Sequence, residues 1–184
     1  MAHTNNETFS LQSIEERPDG LIDKLVEIWY ASVCASHNFL AESDINEIRK
    51  CLPDMFANIP HLIVAIDEKG TPLAFMGVVN GMLEMLFVTP THFGIGIGRT
   101  LVEYGIENLG IEKVTVNEQN PNAIGFYEHL GFRRYLRTDH DTEGRPFPLI
   151  YMRYDRYSLG ESGMETRDPC LPLRGILGPG PTPR

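Results

Sequence analysis

Phe93-Gly94-Ile95-Gly96-Ile97-Gly98-Arg99 places a glycine at every second position of a short stretch. Glycines so spaced let the backbone come close to a ligand and leave several N–H groups pointing outward. With a helix opening near Ile97, the positive end of the helix dipole adds to them, and the loop becomes a cradle for a pyrophosphate or a similar anion. Two familiar nucleotide patterns do not fit. A dinucleotide fingerprint requires a glycine where Arg99 stands, and a P-loop requires a Gly-Lys-Ser/Thr ending that is absent. A purely structural loop of tight turns is the competing reading. A second group lies further on, Asn120-Pro121-Asn122-Ala123-Ile124-Gly125-Phe126-Tyr127, closing with His129-Leu130-Gly131-Phe132. The Asn120 amide can hydrogen-bond a peptide-like ligand, and Tyr127 can bring a phenol to the same cleft. Taken alone, a Tyr at helical spacing reads first as core packing; its pairing with Asn120 downstream of the glycine loop points to chemistry.

Secondary-structure elements must hold these groups. Thr8 to Ile14 reads as a first strand, broken by Pro18 and Gly20. Leu21, Leu25, Ile28, Trp29 and Val33 recur at helical spacing, which predicts a helix from Leu21 to about Ala35. A second helix is predicted from about Ser43 to Ala57, with Ile45, Ile48, Leu52 and Met55 as its buried stripe. His61 to Asp67, Pro72 to Asn80 and Met82 to Val88 read as a three-strand meander. The glycine loop then feeds a helix carrying Ile97, Leu101, Val102 and Gly105 to about Leu109. Glu112 to Asn117 is a short strand, Pro121 suits the first turn of the next helix, and Gly131 suits its left-handed stop. Phe132 to Thr138 and Phe147 to Asp155 complete the set around the polar turn HDTEGRP. The order β α α β β β α β α β β implies an α+β fold: a central mixed, mostly antiparallel sheet of about seven strands with four helices on its faces. Residues 1–156 read as one domain, and residues 157–184, rich in Gly and Pro, as a flexible tail.

Composition narrows the class. At 184 residues, with 42% hydrophobic and 22% charged residues, the chain is of ordinary globular type. No export or membrane-anchoring segment is expected, so the reading is cytoplasmic with no membrane partner. Cys34, Cys51 and Cys170 are odd in number and widely spaced, which fits reduced thiols and no metal site. A formal charge of −9 opposes nucleic-acid binding and is compatible with a cationic substrate. An isologous homodimer is the default expectation for a small enzyme.

With the two motifs in this order, the sequence resembles the GNAT superfamily of N-acetyltransferases, whose hallmarks are LxVxPxxRGxGIG and then NxxAxxFYxxxGF. Here they stand as Leu86 to Gly98 and Asn120 to Phe132, and the resemblance runs from about Leu11 to Tyr154. The stretches Ser36-His37-Asn38-Phe39-Leu40, Val116-Asn117-Glu118-Gln119-Asn120 and Gly144-Arg145-Pro146-Phe147-Pro148-Leu149 are similar to the bacterial YjaB-type branch.

The resemblance implies acetyl-CoA as acyl donor and a small-molecule or protein amine as acceptor. It implies that the fourth strand splays from the fifth, with the donor's pantetheine arm bonded to the backbone of Leu86, Phe87 and Val88. The pyrophosphate would lie on the N–H groups of Gly94, Ile95, Gly96, Ile97, Gly98, Arg99 and Thr100. Asn120 would contact the pantetheine and Tyr127 would lie near the thioester sulfur. Phe93 departs from the pattern, occupying a position usually held by Arg or Gln, with Arg99 as a substitute cation. Acetylation of an amine also needs a proton for the leaving thiolate, an oxyanion donor and a base. Tyr127 is the candidate acid and the Val88 N–H the oxyanion donor. The candidate bases are Glu84, two residues before Leu86 and so expected on the same face, and His37, after the first helix. An acyl-CoA-binding sensor with little or no turnover is the alternative function. Asp139, Asp141 and Glu143 read first as an exposed, solvated turn, with attraction of a cationic substrate as the alternative.

Overall fold

A computed structural model describes residues 8–37, 39–142 and 144–156. The tail expected at 157–184, with Cys170, lies outside the described residues, as do Asn38 and Glu143. The elements run β1 (Phe9–Ser13), α1 (Asp19–Ser36), α2 (Glu42–Asn58), β2 (His61–Asp67), β3 (Pro72–Val79), β4 (Met82–Val88), a 3-10 turn (Pro90–His92), α3 (Ile97–Asn108), β5 (Lys113–Asn117), α4 (Pro121–His129), β6 (Phe132–Thr138) and β7 (Leu149–Tyr154). This is the predicted order, with one added turn. α1 starts at Asp19 rather than Leu21 because the Pro18 carbonyl already accepts from the N–H of Leu21 at 2.9 Å and of Ile22 at 3.2 Å. In α2 the buried stripe ends on Phe56, not Met55: a four-residue step from Leu52 keeps Phe56 on the core side and leaves Met55 half-buried.

One sheet carries the strands in the order β1-β2-β3-β4-β5-β7-β6. Every pairing is antiparallel except β4 with β5. α3 and α4 cover one face, closing a core that includes Met76, Leu83, Val114, Val116 and Met152. α1 and α2 cover the other, over Leu62, Val64, Phe75, Met85 and Phe87. The chain from β1 to α1 is also fastened to the end of α2. The Arg17 guanidinium donates to the carbonyls of Phe56 at 3.1 Å and Ala57 at 2.9 Å, groups that the helix end leaves without an internal partner. Arg17→Met removes those charge-assisted bonds and is expected to lower the unfolding free energy by about 2 kcal/mol. In urea this reads as a midpoint about 1 M lower at unchanged slope; an unchanged midpoint would show that the cap contributes nothing.

The parallel pair positions the site. β4 and β5 are joined only at Met82↔Lys113 and Leu83↔Val114. Beyond those residues β4 runs on to Val88 while β5 turns to β7, pairing with it as far as Asn117↔Leu149. The sheet therefore opens between the carboxyl ends of β4 and β5. Along that opening β4 keeps its partner on the other side, with Met76↔Leu86, Phe75↔Phe87 and Ala74↔Val88 intact. Its remaining backbone groups face the gap.

Candidate active site

On the α3 side of the opening lies the glycine loop. Gly94 and Gly96 have φ of +80° and +98°, a region costly for residues with a Cβ, and Gly96 is the N-cap of α3. Phe93 donates to the Pro90 carbonyl at 3.2 Å, and the next N–H with a backbone acceptor is that of Thr100, bonded to Gly96 at 3.0 Å. The N–H groups of Gly94, Ile95, Gly96, Ile97, Gly98 and Arg99 between them donate to no backbone carbonyl among the described residues. Nothing lies within 4 Å of where a Cβ on Gly94 or Gly96 would stand, so a ligand can approach the bare backbone. The arrangement is an anion cradle at a helix N-terminus. Phe93 is 46% exposed at its rim. The Arg99 side chain lies 3.6 Å from Glu103, one helical turn on, so its charge is shared with a carboxylate.

α4 brings the second motif to the same face. The Asn120 side chain caps the helix, its Oδ1 accepting from the Ala123 N–H at 3.1 Å, which leaves the amide NH₂ as the donor for a ligand. Tyr127 is 7% exposed, with its ring between Phe126 at 5.1 Å and Phe132 at 5.6 Å. Burial pushes its hydroxyl pKa well above the ordinary phenol value, so the group stays neutral.

The other face of the sheet carries a cavity of about 50 Å³, room for a few water-sized groups. Trp29, Val33 and Ile48 line it from α1 and α2, and Phe87, Asn117 and Leu149 from the ends of β4, β5 and β7. His37, Phe39 and Leu40 reach it from the α1–α2 connection, Asp141 and Phe147 from the β6–β7 loop. The three stretches whose sequences are similar to one branch of a family thus each contribute residues to one place. Phe39 bridges the two loops, with its ring 5.4 Å from His37 and 6.2 Å from Phe147. Desolvation lowers the His37 pKa below the usual imidazole value. Phe87 and Asn117 stand at the opening itself, so the cavity and the glycine loop address the same gap from opposite faces of the sheet.

Two expectations need correction. Asp141 is not a solvated turn residue: its side chain is 6% exposed, bonded to the Arg145 Nε at 2.9 Å and to the Arg145 N–H at 2.8 Å, and it lines the cavity. The second concerns Glu84. The pairing shifts from Gly77↔Met85 to Val78↔Leu83, which makes Glu84 the extra residue of a β-bulge. Alternation is broken there, so that Leu83 joins one core and Met85 the other, and a spacing of two no longer places Glu84 and Leu86 on one face. Glu84 is half-buried and is not among the residues lining the cavity. Sequence reasoning had no assignment for Trp29, Asn117 and Phe147 at the site: Trp29 and Phe147 carry the ordinary signature of core packing, and Asn117 reads as the polar end of a strand.

Residues 58–134 match the family described as "Acetyltransferase (GNAT) domain". The chain is 36% identical over 132 residues to the peptidyl-lysine N-acetyltransferase YjaB of Escherichia coli (strain K12), covering 72% of this chain and 89% of that protein. It is 29% identical over 124 residues to the peptidyl-lysine N-acetyltransferase YiaC of the same organism, covering 65% and 82%. The solution structure of apo-form YjaB from Escherichia coli superposes with a TM-score of 0.71 at 33% identity, over 80% of this chain and 97% of that one. The PaiA N-acetyltransferase from Thermoplasma acidophilum, in complex with coenzyme A, shares the fold with a TM-score of 0.60 at 18% identity, over 80% and 99%.

Proposed function

Because the chain belongs to the GNAT acetyltransferase family, we propose that it moves the acetyl group of acetyl-CoA directly to a primary amine, the side-chain amine of a protein lysine, within a ternary complex. The observation that carries this reading is the gap between β4 and β5, with amides of the glycine loop that meet no described backbone acceptor on one side and a largely apolar cavity on the other.

The donor fits the residues present. Its pyrophosphate is held by the N–H groups of residues 94–99, and its pantetheine by the Asn120 amide and by the gap-facing backbone of Leu86 and Val88; the expected contact at Phe87 falls away, because the bond from the Thr89 N–H to the Leu73 carbonyl sets an alternation that turns the Phe87 backbone toward β3. The acceptor fits the cavity: Trp29, Phe39 and Phe147 suit an aliphatic stem and offer ring faces to a cation, while the Asp141 carboxylate is paired with Arg145. A long unbranched amine matches these walls, and the relatives named as peptidyl-lysine acetyltransferases supply the protein-bound form. In the reaction the Val88 N–H donates to the developing oxyanion, and the Tyr127 hydroxyl donates a hydrogen bond to the departing sulfur. Free thiols at Cys34 and Cys51 suit a cytoplasmic enzyme, and among the described residues no helix is long and apolar enough to cross a membrane.

The test is calorimetric titration with acetyl-CoA together with thiol release over peptides that contain or lack lysine, their α-amines blocked. Micromolar binding with thiol release and acetylated lysine is the expected result. Binding with no release on any amine would indicate a sensor instead, and absence of binding would overturn both.

A further inference from the structure

We propose that His37 is the proton acceptor for the attacking amine and that Ser36 is its positioning residue, holding the imidazole as the Nδ1–H tautomer with Nε2 left for the acceptor. This rests on the acetyltransferase reading above and supplies the base which that reading lacks. Ser36 closes α1, and its hydroxyl donates to the Ser32 carbonyl one turn back at 2.6 Å. A carbonyl can only accept, so the single hydroxyl proton of Ser36 is committed there. The same oxygen lies 2.8 Å from His37 Nδ1. That second bond needs a proton from the ring, so Nδ1 carries it and Nε2 keeps its lone pair.

The surroundings keep that lone pair usable. The His37 N–H donates to the Val33 carbonyl at 2.8 Å, which fixes the backbone at the helix end, and Phe39 packs on the ring at 5.4 Å. The ring lines the cavity beside Phe87 and Asn117, at the gap where the proposed donor would bring its thioester, and Nε2 makes no hydrogen bond to a described residue. Among the described residues that line the cavity, Asp141 is the other titratable group, and it is tied to Arg145 from a different loop. Burial, which disfavours the imidazolium, is the cause of the lowered pKa of His37, so the ring is neutral when the amine arrives.

The step balances without a co-reactant. The amine nitrogen bonds to the thioester carbon and its surplus proton passes to Nε2. The C–S bond breaks with its electron pair on sulfur, the thiolate takes a proton from solvent, and the imidazolium returns one to solvent.

The experiment uses the full chain, a lysine peptide and acetyl-CoA, with Ser36→Ala, Ser36→Thr and His37→Gln. Histidine ¹⁵N–¹H correlation spectra read the tautomer directly. The parent is expected to show Nδ1–H at His37 and Ser36→Ala to show Nε2–H, with kcat about tenfold lower, acetyl-CoA affinity unchanged, and both effects restored by Ser36→Thr. His37→Gln is expected to lower kcat about 100-fold. Ala is a better helix former than Ser, so loss of the α1 end does not account for a slower Ser36→Ala enzyme. An Nε2–H tautomer in the parent overturns the proposal whether or not the His37 variant folds, as does a folded His37→Gln enzyme with parental kcat. The parent's own turnover of the lysine peptide tests the acetyltransferase reading separately.

Discussion

Tyr127→Phe is expected to bind acetyl-CoA as tightly as the parent and to turn over about a thousandfold more slowly. The ring keeps its place, because its packing against Phe126 and Phe132 does not involve the hydroxyl. Loss of that hydroxyl changes folding stability by less than about 1 kcal/mol, since no described residue is its hydrogen-bond partner. What the proposed mechanism loses is its hydrogen-bond donor to the sulfur, an interaction stronger in the transition state than in the bound donor. The direction of the pKa shift refines the role. A phenol near 10 lies close to a thiol near 8.5, but burial raises Tyr127 further and widens the gap. Complete proton transfer to the thiolate is then uphill, and the proposed role of Tyr127 narrows to a hydrogen bond to the sulfur while solvent completes the protonation. Because a raised pKa keeps the phenol neutral throughout the neutral range, its removal lowers kcat by the same factor at weakly acidic and weakly alkaline pH, with no limb of the profile displaced. Thiol-release rates across that range check this. A loss smaller than tenfold would remove Tyr127 from the chemistry.

The fold was legible because periodicity and punctuation agreed. The three- and four-residue spacing from Leu25 to Val33, the branched runs of β2 to β4, and Pro121 and Gly131 around α4 each reported a local preference that the packing then used. Gly131 does take a left-handed φ of +95°. The glycine loop was legible for the same reason, since it lies in one strand–loop–helix unit and its exposed N–H groups belong to the backbone. The cavity on the other face was not. It is assembled from the ends of α1, β4, β5 and β7 and from two loops, and its walls are Trp29, Phe87 and Leu149, residue types that say only that they are buried. Asp141 looked solvated because its neighbours in sequence are polar. Its burial follows from the turn that folds Arg145 back onto it. The bulge at Glu84 was hidden as well, because register is a property of the β3–β4 pair and β4 alone reads as an unbroken strand.

The glycine loop yields the second large effect, as a contrast within one motif. Gly96→Val is expected to weaken acetyl-CoA binding about 100-fold, whereas Gly98→Ala leaves it within about threefold, a difference of about 2 kcal/mol between the two sites. Both positions would read as equally glycine-specific if the motif were merely a pattern. At Gly96 the φ of +98° is the constraint. A β-branched residue disfavours that region by about 1–2 kcal/mol, and open space around the position lets the loop escape by turning its peptide planes. Those planes carry the N–H groups of residues 95–97, so relief of the strain aims the donors away from the pyrophosphate. At Gly98 the helix has begun and φ is ordinary. An added methyl would meet Phe126 at 3.5 Å and Val88 at 3.7 Å, normal contacts directed into the protein and away from the cradle. Calorimetric titration of the two variants with acetyl-CoA, alongside their thermal unfolding, separates conformational need from space. Similar affinities in the two, or the larger loss at Gly98, would mean that the ligand presses on the first turn of α3 rather than on the left-handed loop before it.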